Sequence, residues 1–299
     1  MTASDHTRKR WKVIDLIEWT SNYFQDKGFE NARLNAERLL AFTLDVDRVQ
    51  LYLNFDRPLT PDELAEFKKL LQRRLAHEPL QYILGETEFM SLPFKVTPDV
   101  LIPRPETEIL VEKTLEYCRT HFTEIETITL LDVGTGSGNI AVSLARYLQN
   151  ARIVAVDQSA AALHIAGENA ERNQVAEKIQ FLHLDALSTQ GWEQFRSFFD
   201  IIVANPPYIK AKEYQDLPEE IKKYEPVSAL LAGEDGLDFY RNFAKIMANL
   251  LKPDAAAFFE IGADMAQSVR EIFEQAGFTK IEIFQDLAGK DRVVKVGIH

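Results

Sequence analysis

LLDVGTGSG, at residues 130–138, joins a hydrophobic strand pattern directly to a glycine-rich loop, and a helical pattern follows. A strand, a glycine loop and a helix N-terminus in this order allow the backbone to approach a nucleotide-like ligand closely. The spacing is G-x-G-x-G followed by Asn139, so the chain lacks the dinucleotide fingerprint and the Lys-Ser/Thr ending of a P-loop. These absences disfavour NAD and ATP, but they do not name the ligand.

Asp157 ends the next predicted strand after the glycine loop. A carboxylate at this place can accept hydrogen bonds from both hydroxyl groups of a ribose. The alternative is that the glycines only form a tight turn and that Asp157 caps the following helix. Because the loop and the acid occur together, the sequence favours a nucleotide site.

Strand and helix patterns alternate from about residue 128 onward. The predicted strands are 128–133, 153–157, 179–184, 200–204, 256–261, 281–284 and 293–298, and the predicted helices are 140–149, 160–173, 237–251 and 265–276. This alternation predicts an α/β fold with an open, mostly parallel sheet covered by helices on both faces. No helix separates the last two strands, so the final strand is expected to return antiparallel.

The region before this alternation is predicted to be helical. Thr60, Pro61 and Glu63 form a helix start, with a capping hydroxyl, a proline in the first turn and an early acid. We expect a helical substrate-recognition domain over 1–84, a β-hairpin linker over 85–100 and the sheet-containing domain over 101–299.

Composition limits the class of protein. The chain has 299 residues, a net charge of −12 and one cysteine, Cys118, so an intramolecular disulfide and a cysteine metal cluster are ruled out. The six histidines are scattered, and no metal is expected. A strongly acidic chain disfavours stable binding to nucleic acid. No apolar run approaches the ~20 residues that span a membrane, so we expect a cytoplasmic protein.

The second motif is NPPY, Asn205-Pro206-Pro207-Tyr208, at the carboxyl end of a hydrophobic strand. In open sheets this edge also holds the loop after residue 133, so both motifs are expected to face one crevice. The prolines remove two donors and leave rigid carbonyls, Asn205 adds an oxygen acceptor, and Tyr208 adds a flat face. This set suits a planar NH₂ group, either a carboxamide or the exocyclic amine of adenine. The alternative is a stiff connection containing an asparagine turn.

With further motifs, the chain resembles the release-factor glutamine methyltransferases, the PrmC/HemK family, over nearly its whole length. The matching segments are PLQYILG (79–85), LIPRPETE (101–108), LDVGTGSG (131–138), AVD (155–157), NPPYI (205–209), YEP (224–226), GLD (236–238), EIG (260–262) and DLAGKDRV (286–293). NPPY alone is shared with adenine-N6 methyltransferases, whereas NPPYI combined with LIPRPETE is much more specific.

The resemblance implies a Rossmann-like, seven-stranded methyltransferase sheet with its last strand antiparallel, S-adenosylmethionine as cofactor, and the glutamine of the Gly-Gly-Gln motif in class I peptide-chain release factors as substrate. The implied cofactor-binding residues are Gly134, Thr135, Gly136, Ser137, Gly138, Asp157, Asp185, Ala186 and Asn205. The implied substrate-binding residues are Arg104, Glu106, Asn205, Pro206, Pro207 and Tyr208, of which Asn205, Pro206 and Tyr208 are the expected catalytic group.

One departure and two alternatives accompany this interpretation. Relatives often carry an aromatic residue near the adenine where this chain has Ala186, and Leu187 is a candidate to cover that face. The acceptor could instead be an adenine or cytosine amine in nucleic acid, which the acidic charge disfavours. A non-catalytic adapter is the other alternative, and the intact NPPY and glycine loop argue against it.

Overall fold

The computed structural model describes residues 10–123, 126–188 and 190–297. The chain divides into two compact units, Met1–Leu84 and Gly85–His299. Residue 298, the predicted end of the last strand, lies outside the described residues.

The first unit is helical. Its helices are α1 (Val13–Asp26), α2 (Ala32–Leu44), α3 (Arg48–Leu53), α4 (Pro61–Leu75) and α5 (Leu80–Leu84). The start of α4 is a capping box, because Thr60 Oγ1 accepts from the Glu63 N–H at 3.2 Å and the Glu63 carboxylate accepts from the Thr60 N–H at 2.8 Å. Apolar side chains from all five helices form its core, among them Ile17, Leu39, Leu51, Phe67 and Leu80.

The second unit opens with a hairpin, β1 (Glu86–Phe89) paired antiparallel with β2 (Leu92–Lys95). Its turn residues Met90 and Ser91 have φ of 51° and 58°, the left-handed backbone that a tight two-residue hairpin turn requires. The helix α6 (Pro105–His121) follows and has a proline at its first position.

A seven-stranded sheet is the core of the second unit within the described residues. Its strands are β3 (Ile128–Val133), β4 (Ala151–Asp157), β5 (Ile179–His183), β6 (Phe199–Ala204), β7 (Leu251–Glu260), β8 (Lys280–Gln285) and β9 (Asp291–Gly297). They are arranged in the order β5-β4-β3-β6-β7-β9-β8, and β9 is antiparallel to both of its neighbours. The predicted sheet with an antiparallel last strand is therefore confirmed.

Helices cover both faces of this sheet. The covering helices are α6, α7 (Asn139–Tyr147), α8 (Ala160–Arg172), α11 (Asp238–Leu250) and α12 (Ala266–Gln275), whereas the short helices α9 (Ala211–Tyr214) and α10 (Glu219–Tyr224) lie in the connection after β6. Alternate residues of β3 enter opposite cores, with Leu131 on the side of α11 and α12 and Leu130 on the side of α6 and α7. Among the described residues, no helix has the length and apolar character needed to cross a membrane.

The strand order reverses between β3 and β6, which are parallel neighbours. The chain runs from β3 outward to β4 and β5, then returns to β6 on the other side. Ligands of open α/β sheets bind at such a switch point, outside the carboxyl ends of the strands. Both sequence motifs follow these two strands, so the fold brings the glycine loop and NPPY to one place.

Candidate active site

The glycine loop is held to β4 through its backbone. The N–H groups of Gly134 and Thr135 donate to the Val156 carbonyl at 2.9 and 3.0 Å, and the Gly136 N–H donates to Asp157 Oδ2 at 2.9 Å. Among the described residues, a β-carbon at Gly134 would meet no atom within 4 Å, and one at Gly136 would approach only the Gly134 carbonyl, at 4.0 Å. The loop therefore borders open space and can lie directly against a ligand.

Gly138 has a different role in the same loop. It shares the left-handed backbone, with φ of 79°, but a β-carbon there would lie 3.0 Å from the β-carbon of Ala166 in α8. The third glycine therefore permits close packing of the loop against a helix.

Asp132 fixes the loop from inside the protein. This fully buried carboxylate accepts from Thr135 Oγ1 at 2.7 Å and from the Ala141 N–H at 3.2 Å. Burial raises the pKa of Asp132 to about 7. Thr135 and Ser137 are themselves buried, so they hold the loop rather than face the adjoining cavity.

A cavity of about 480 Å³ lies beside the loop. Residues predicted for cofactor or substrate line it together: Gly134, Gly136, Asp157, Asp185, Ala186, Asn205, Pro206 and Pro207. Its volume is in the range of pockets that bury small ligands, about 300–1,000 Å³. The backbone cradle, the acid and the apolar walls fit a nucleoside-bearing cofactor such as S-adenosylmethionine.

Asp157 is not the cap of the following helix. Ser159 Oγ caps α8 by accepting from the Ala162 N–H at 3.1 Å. The two oxygens of Asp157 accept from the Gly136 N–H and, at 2.8 Å, from the Ser159 N–H. A carboxylate has about four acceptor sites, so each oxygen can accept one more hydrogen bond from a ligand hydroxyl.

Two apolar side chains line the cavity that also contains Ala186, the position where relatives often carry an aromatic residue. Leu187, the candidate suggested from the sequence, lines the cavity, and so does Phe239 of α11. The Phe239 ring stacks on Phe243, with centroids 5.3 Å apart, so it is held in a fixed orientation. Phe239 was not predicted, although it follows the quoted GLD segment.

A smaller cavity of about 190 Å³ adjoins the first. The two share part of their lining: Leu101, Asn205, Pro206 and Ala229. The remaining lining is polar in part, with Arg104, Tyr208 and Glu260, and apolar in part, with Ile209, Ile221 and Leu230. Asn205 and Pro206 therefore lie where the two cavities meet.

The NPPY residues are held from several directions. Asn205 Nδ2 donates to Thr107 Oγ1 of α6 at 3.0 Å, so the amide oxygen is the end that remains for another partner. Burial raises the pKa of Tyr208 to about 12, so its ring stays neutral near pH 7. A β-carbon at Gly236 would clash with the Tyr208 carbonyl, so the loop after β6 depends on that glycine.

Arg104 and Glu106 of LIPRPETE are placed differently. Arg104 lines the smaller cavity and donates from Nη2 to both oxygens of Glu225, at 2.6 and 2.7 Å. Glu225 is buried, and burial raises its pKa. Glu106 is exposed and lines neither cavity. The ion pair joins the segment before α6 to the segment after α10.

The chain is similar to known methyltransferases. Residues 15–85 match the family described as PrmC N-terminal domain, and residues 111–222 match the methyltransferase small domain. The chain is 43% identical over 284 residues to the release factor glutamine methyltransferase of Geobacter sulfurreducens, covering 95% of this chain and 96% of that protein. It is 40% identical over 285 residues to the enzyme of the same name from Chlorobaculum tepidum, with 95% and 96% covered.

A solved structure supports the fold. The catalytic domain of hMettl16 superposes with a TM-score of 0.56, covering 82% of this chain and 85% of that one, at 14% sequence identity. The fold and the two motifs together define a Rossmann-like methyltransferase. Within that class, the chain belongs to the release factor glutamine methyltransferase family, as the sequence resemblance predicted.

Proposed function

We propose that this protein transfers a methyl group from S-adenosylmethionine to the side-chain amide nitrogen, N5, of the glutamine in the Gly-Gly-Gln motif of peptide-chain release factors. The observation that carries the proposal is the meeting of two cavities at Asn205 and Pro206. One cavity has the size and lining for a nucleoside cofactor, and the other is smaller and is lined by both polar and apolar side chains.

The larger cavity is the proposed cofactor site. S-adenosylmethionine, when bound, supplies an electrophilic methyl group. The backbone of Gly134 and Gly136 would lie against it, Asp157 would accept from the ribose hydroxyls, and Asp185 with Ala186 would border the adenine. Phe239 would supply aromatic surface that Ala186 lacks.

The smaller cavity is the proposed glutamine site. Its apolar side chains, Ile221 and Leu230, suit the methylene stem, while Asn205 Oδ1 and the Pro206 carbonyl provide acceptors for the two amide hydrogens. An amide nitrogen is a poor nucleophile because its lone pair is delocalised. Holding both hydrogens orients this nitrogen, and orientation can contribute ~7–11 kcal/mol at best.

No strong base is needed for the transfer. The amide N–H becomes more acidic as the new bond forms, so a weak acceptor suffices. Tyr208 flanks the site as a neutral ring, since burial raises its pKa to about 12. Its proposed role is to pack against the planar amide, not to accept a proton.

The helical unit, Met1–Leu84, is the proposed recognition domain for the release factor. Its helix α3 exposes apolar side chains, with Val49 at 68% and Leu53 at 75%. Exposed apolar groups of this kind are typical of protein contact surfaces. Because class I release factors act in translation, we place the enzyme in the cytoplasm.

Nucleic acid is not the proposed acceptor. The chain carries a net charge of −12, whereas proteins that grip phosphates present basic surface. If a nucleic-acid amine were the true acceptor, substrate affinity would fall steeply as salt is added. A protein acceptor predicts a much shallower dependence.

The test is mass spectrometry of a purified release factor after incubation with this protein and S-adenosylmethionine. We expect one added methyl group on the Gly-Gly-Gln glutamine, and none on a control factor in which that glutamine is alanine. Transfer to the alanine control would place the methyl elsewhere. No transfer at all, with cofactor binding confirmed by calorimetry, would overturn the proposal and direct the search to nucleic acid.

A further inference from the structure

Glu260 is a buried acid that the proposed mechanism does not use. It is the last residue of β7, is 2% exposed, and lines the smaller cavity with Asn205 and Tyr208. Its Oε2 atom is buried without a hydrogen-bond partner among the residues that the structure describes. Burying a carboxylate without a full set of hydrogen bonds costs free energy. The groups around Glu260 therefore need to be considered for a role that offsets this cost.

Thr107 connects Glu260 to Asn205. The Thr107 hydroxyl acts on the Glu260 carboxylate as a hydrogen-bonding group that lowers its pKa, and Thr107 Oγ1 accepts from Asn205 Nδ2 at 3.0 Å. A hydroxyl has one hydrogen, and an ionised carboxylate can only accept. Thr107 therefore donates to Glu260 and accepts from Asn205, so the amide presents Nδ2 to Thr107 and Oδ1 elsewhere.

The charges around Glu260 oppose one another. Burial is the largest influence and raises its pKa to about 7, the negative charge of Glu106 acts in the same direction, and Arg292 and Arg104 act against it. Tyr208 and Tyr240 are the other titratable groups that face it, and the Tyr240 hydroxyl donates to the Glu260 backbone carbonyl at 2.7 Å. The acid can thus change protonation near neutral pH.

We propose that Glu260 is a positioning residue that acts through Thr107 to hold the Asn205 carboxamide with its oxygen toward the acceptor amide. An Asn205 amide turned by 180° would present a second donor to a substrate that itself offers donors, and binding in the reactive orientation would fail. This inference rests on the proposed function, because it assumes that the acceptor is an NH₂ group.

When Glu260 loses its charge, the direction of the Thr107 hydrogen bonds is no longer fixed. A protonated carboxyl can donate to Thr107, which can then donate to Asn205 Oδ1 and stabilise the turned amide. We expect kcat for glutamine methylation to fall as pH decreases through the pKa of Glu260, because the ionised form is required. Glu260→Gln should lower kcat at high pH and remove this limb of the profile, since a carboxamide can donate at every pH.

Thr107 offers a matched pair of variants. Thr107→Val removes the hydroxyl and keeps the shape, whereas Thr107→Ser keeps the hydroxyl and removes a methyl group. We expect kcat to fall about tenfold or more in Thr107→Val, as for other small misplacements of reacting groups, and to stay within about threefold of wild type in Thr107→Ser. The dissociation constant for S-adenosylmethionine, measured by calorimetry, should be unchanged in both, which also shows that each variant is folded.

A spectroscopic measurement tests the network without turnover. The Asn205 side-chain NH₂ signals, assigned by their loss in Asn205→Ala, should shift with pH near neutrality in the wild type. They should not shift in Glu260→Gln. The pH response of the Asn205 signals does not depend on which acceptor is methylated. This measurement therefore distinguishes a failure of this inference from a failure of the proposed function.

Two results would overturn the inference. One is wild-type turnover in Thr107→Val; if Glu260→Gln loses turnover at the same time, Glu260 contacts the substrate directly. The other is a set of Asn205 signals that do not respond to pH in the wild type. If instead the wild type methylates no glutamine while the Asn205 signals titrate, the proposed substrate is wrong and the network stands.

Discussion

The two halves of the site each pair a buried carboxylate with a threonine, but the pairs hold different things. At the end of β3, Asp132 binds Thr135 and the Ala141 N–H, and so fixes the backbone of the glycine loop. At the end of β7, the Thr107 hydroxyl lowers the pKa of Glu260 by hydrogen bonding, and it also accepts from the Asn205 side chain. Burial raises the pKa of both acids to about 7.

The difference concerns which atoms meet the ligand. In the cofactor half, main-chain atoms of Gly134 and Gly136 border the cavity, and side chains of the loop point inward. In the substrate half, the reactive contacts come from the Asn205 side chain and rigid carbonyls. Substitutions in the two halves should therefore have different effects. Those in the cofactor half should change cofactor affinity or stability, and those in the substrate half should change turnover.

Asn205→Ala should have the largest effect. It removes one of the two acceptors that orient the amide and leaves Thr107 without its donor, so we expect kcat to fall by about 100-fold or more. Cofactor affinity should stay within about threefold, because the loop and Asp157 are untouched. Single-turnover mass spectrometry and calorimetry measure the two quantities separately.

Asp157→Ala is the opposite control for that experiment. It removes the acceptor proposed for the ribose, together with the bonds to the Gly136 and Ser159 N–H groups. The expected result is weaker cofactor binding with turnover largely preserved at saturating cofactor. If the two variants changed affinity and turnover in the same proportion, the division of the site into two halves would be wrong.

The sequence revealed one half of the site more fully than the other, for a physical reason. The glycine loop and Asp157 follow adjacent parallel strands along the chain, so the local strand-loop-helix pattern predicts their approach. Thr107 and Glu260 lie far from Asn205 in sequence. They meet it only because β6 and β7 are neighbours and α6 begins beside them. Both residues were inside quoted motifs, but no periodicity indicates a partner across the sheet.

Other departures have equally local causes. The strand β7 begins at Leu251 rather than 256, because Phe199 pairs with Leu251 before a bulge interrupts the register. The short helices α9 and α10 follow NPPY and were not predicted, since four and six residues are too few for a hydrophobic period to appear. Phe239 was missed because it is a core residue that also borders the cavity.

The glycines offer a second test, with a smaller expected effect. Gly134→Ala and Gly138→Ala impose a similar backbone penalty, because φ is 72° and 79° at the two positions. Only Gly138→Ala also presses a methyl group against Ala166, which we expect to cost a further ~1–3 kcal/mol of unfolding free energy. Urea unfolding of the two variants measures the difference.

Cofactor binding should rank the same two variants in the reverse order. Gly134→Ala projects its methyl group into the larger cavity, so at equal fractions of folded protein it should bind S-adenosylmethionine more weakly than Gly138→Ala. Equal stability of the two variants would mean that α8 yields to the added methyl, and that Gly138 is not a packing glycine.

The last comparison concerns pH and again involves the two acids. Asp132 has its pKa raised from 3.8 to about 7 in the folded protein, so between these values the folded state holds more protons than the unfolded state. Stability is therefore lost as pH rises through this window, and Glu260, raised from 4.5 to about 7, acts with the same sign. We expect the free energy of unfolding to fall by up to ~5 kcal/mol between pH 5 and pH 8, because each acid contributes over about two pH units of this window.

Asp132→Asn and Glu260→Gln should each reduce this decline, and Glu171→Gln, which replaces an exposed carboxylate on α8, is the matched control. Urea unfolding at the two pH values measures all four proteins. Of these variants, only Glu260→Gln should also flatten the pH profile of kcat. The reason is that the charge of Asp132 acts on the glycine loop, whereas the charge of Glu260 acts on the Asn205 amide that orients the substrate. If Asp132→Asn flattened the kcat profile as well, the two acids would not serve separate halves of the site.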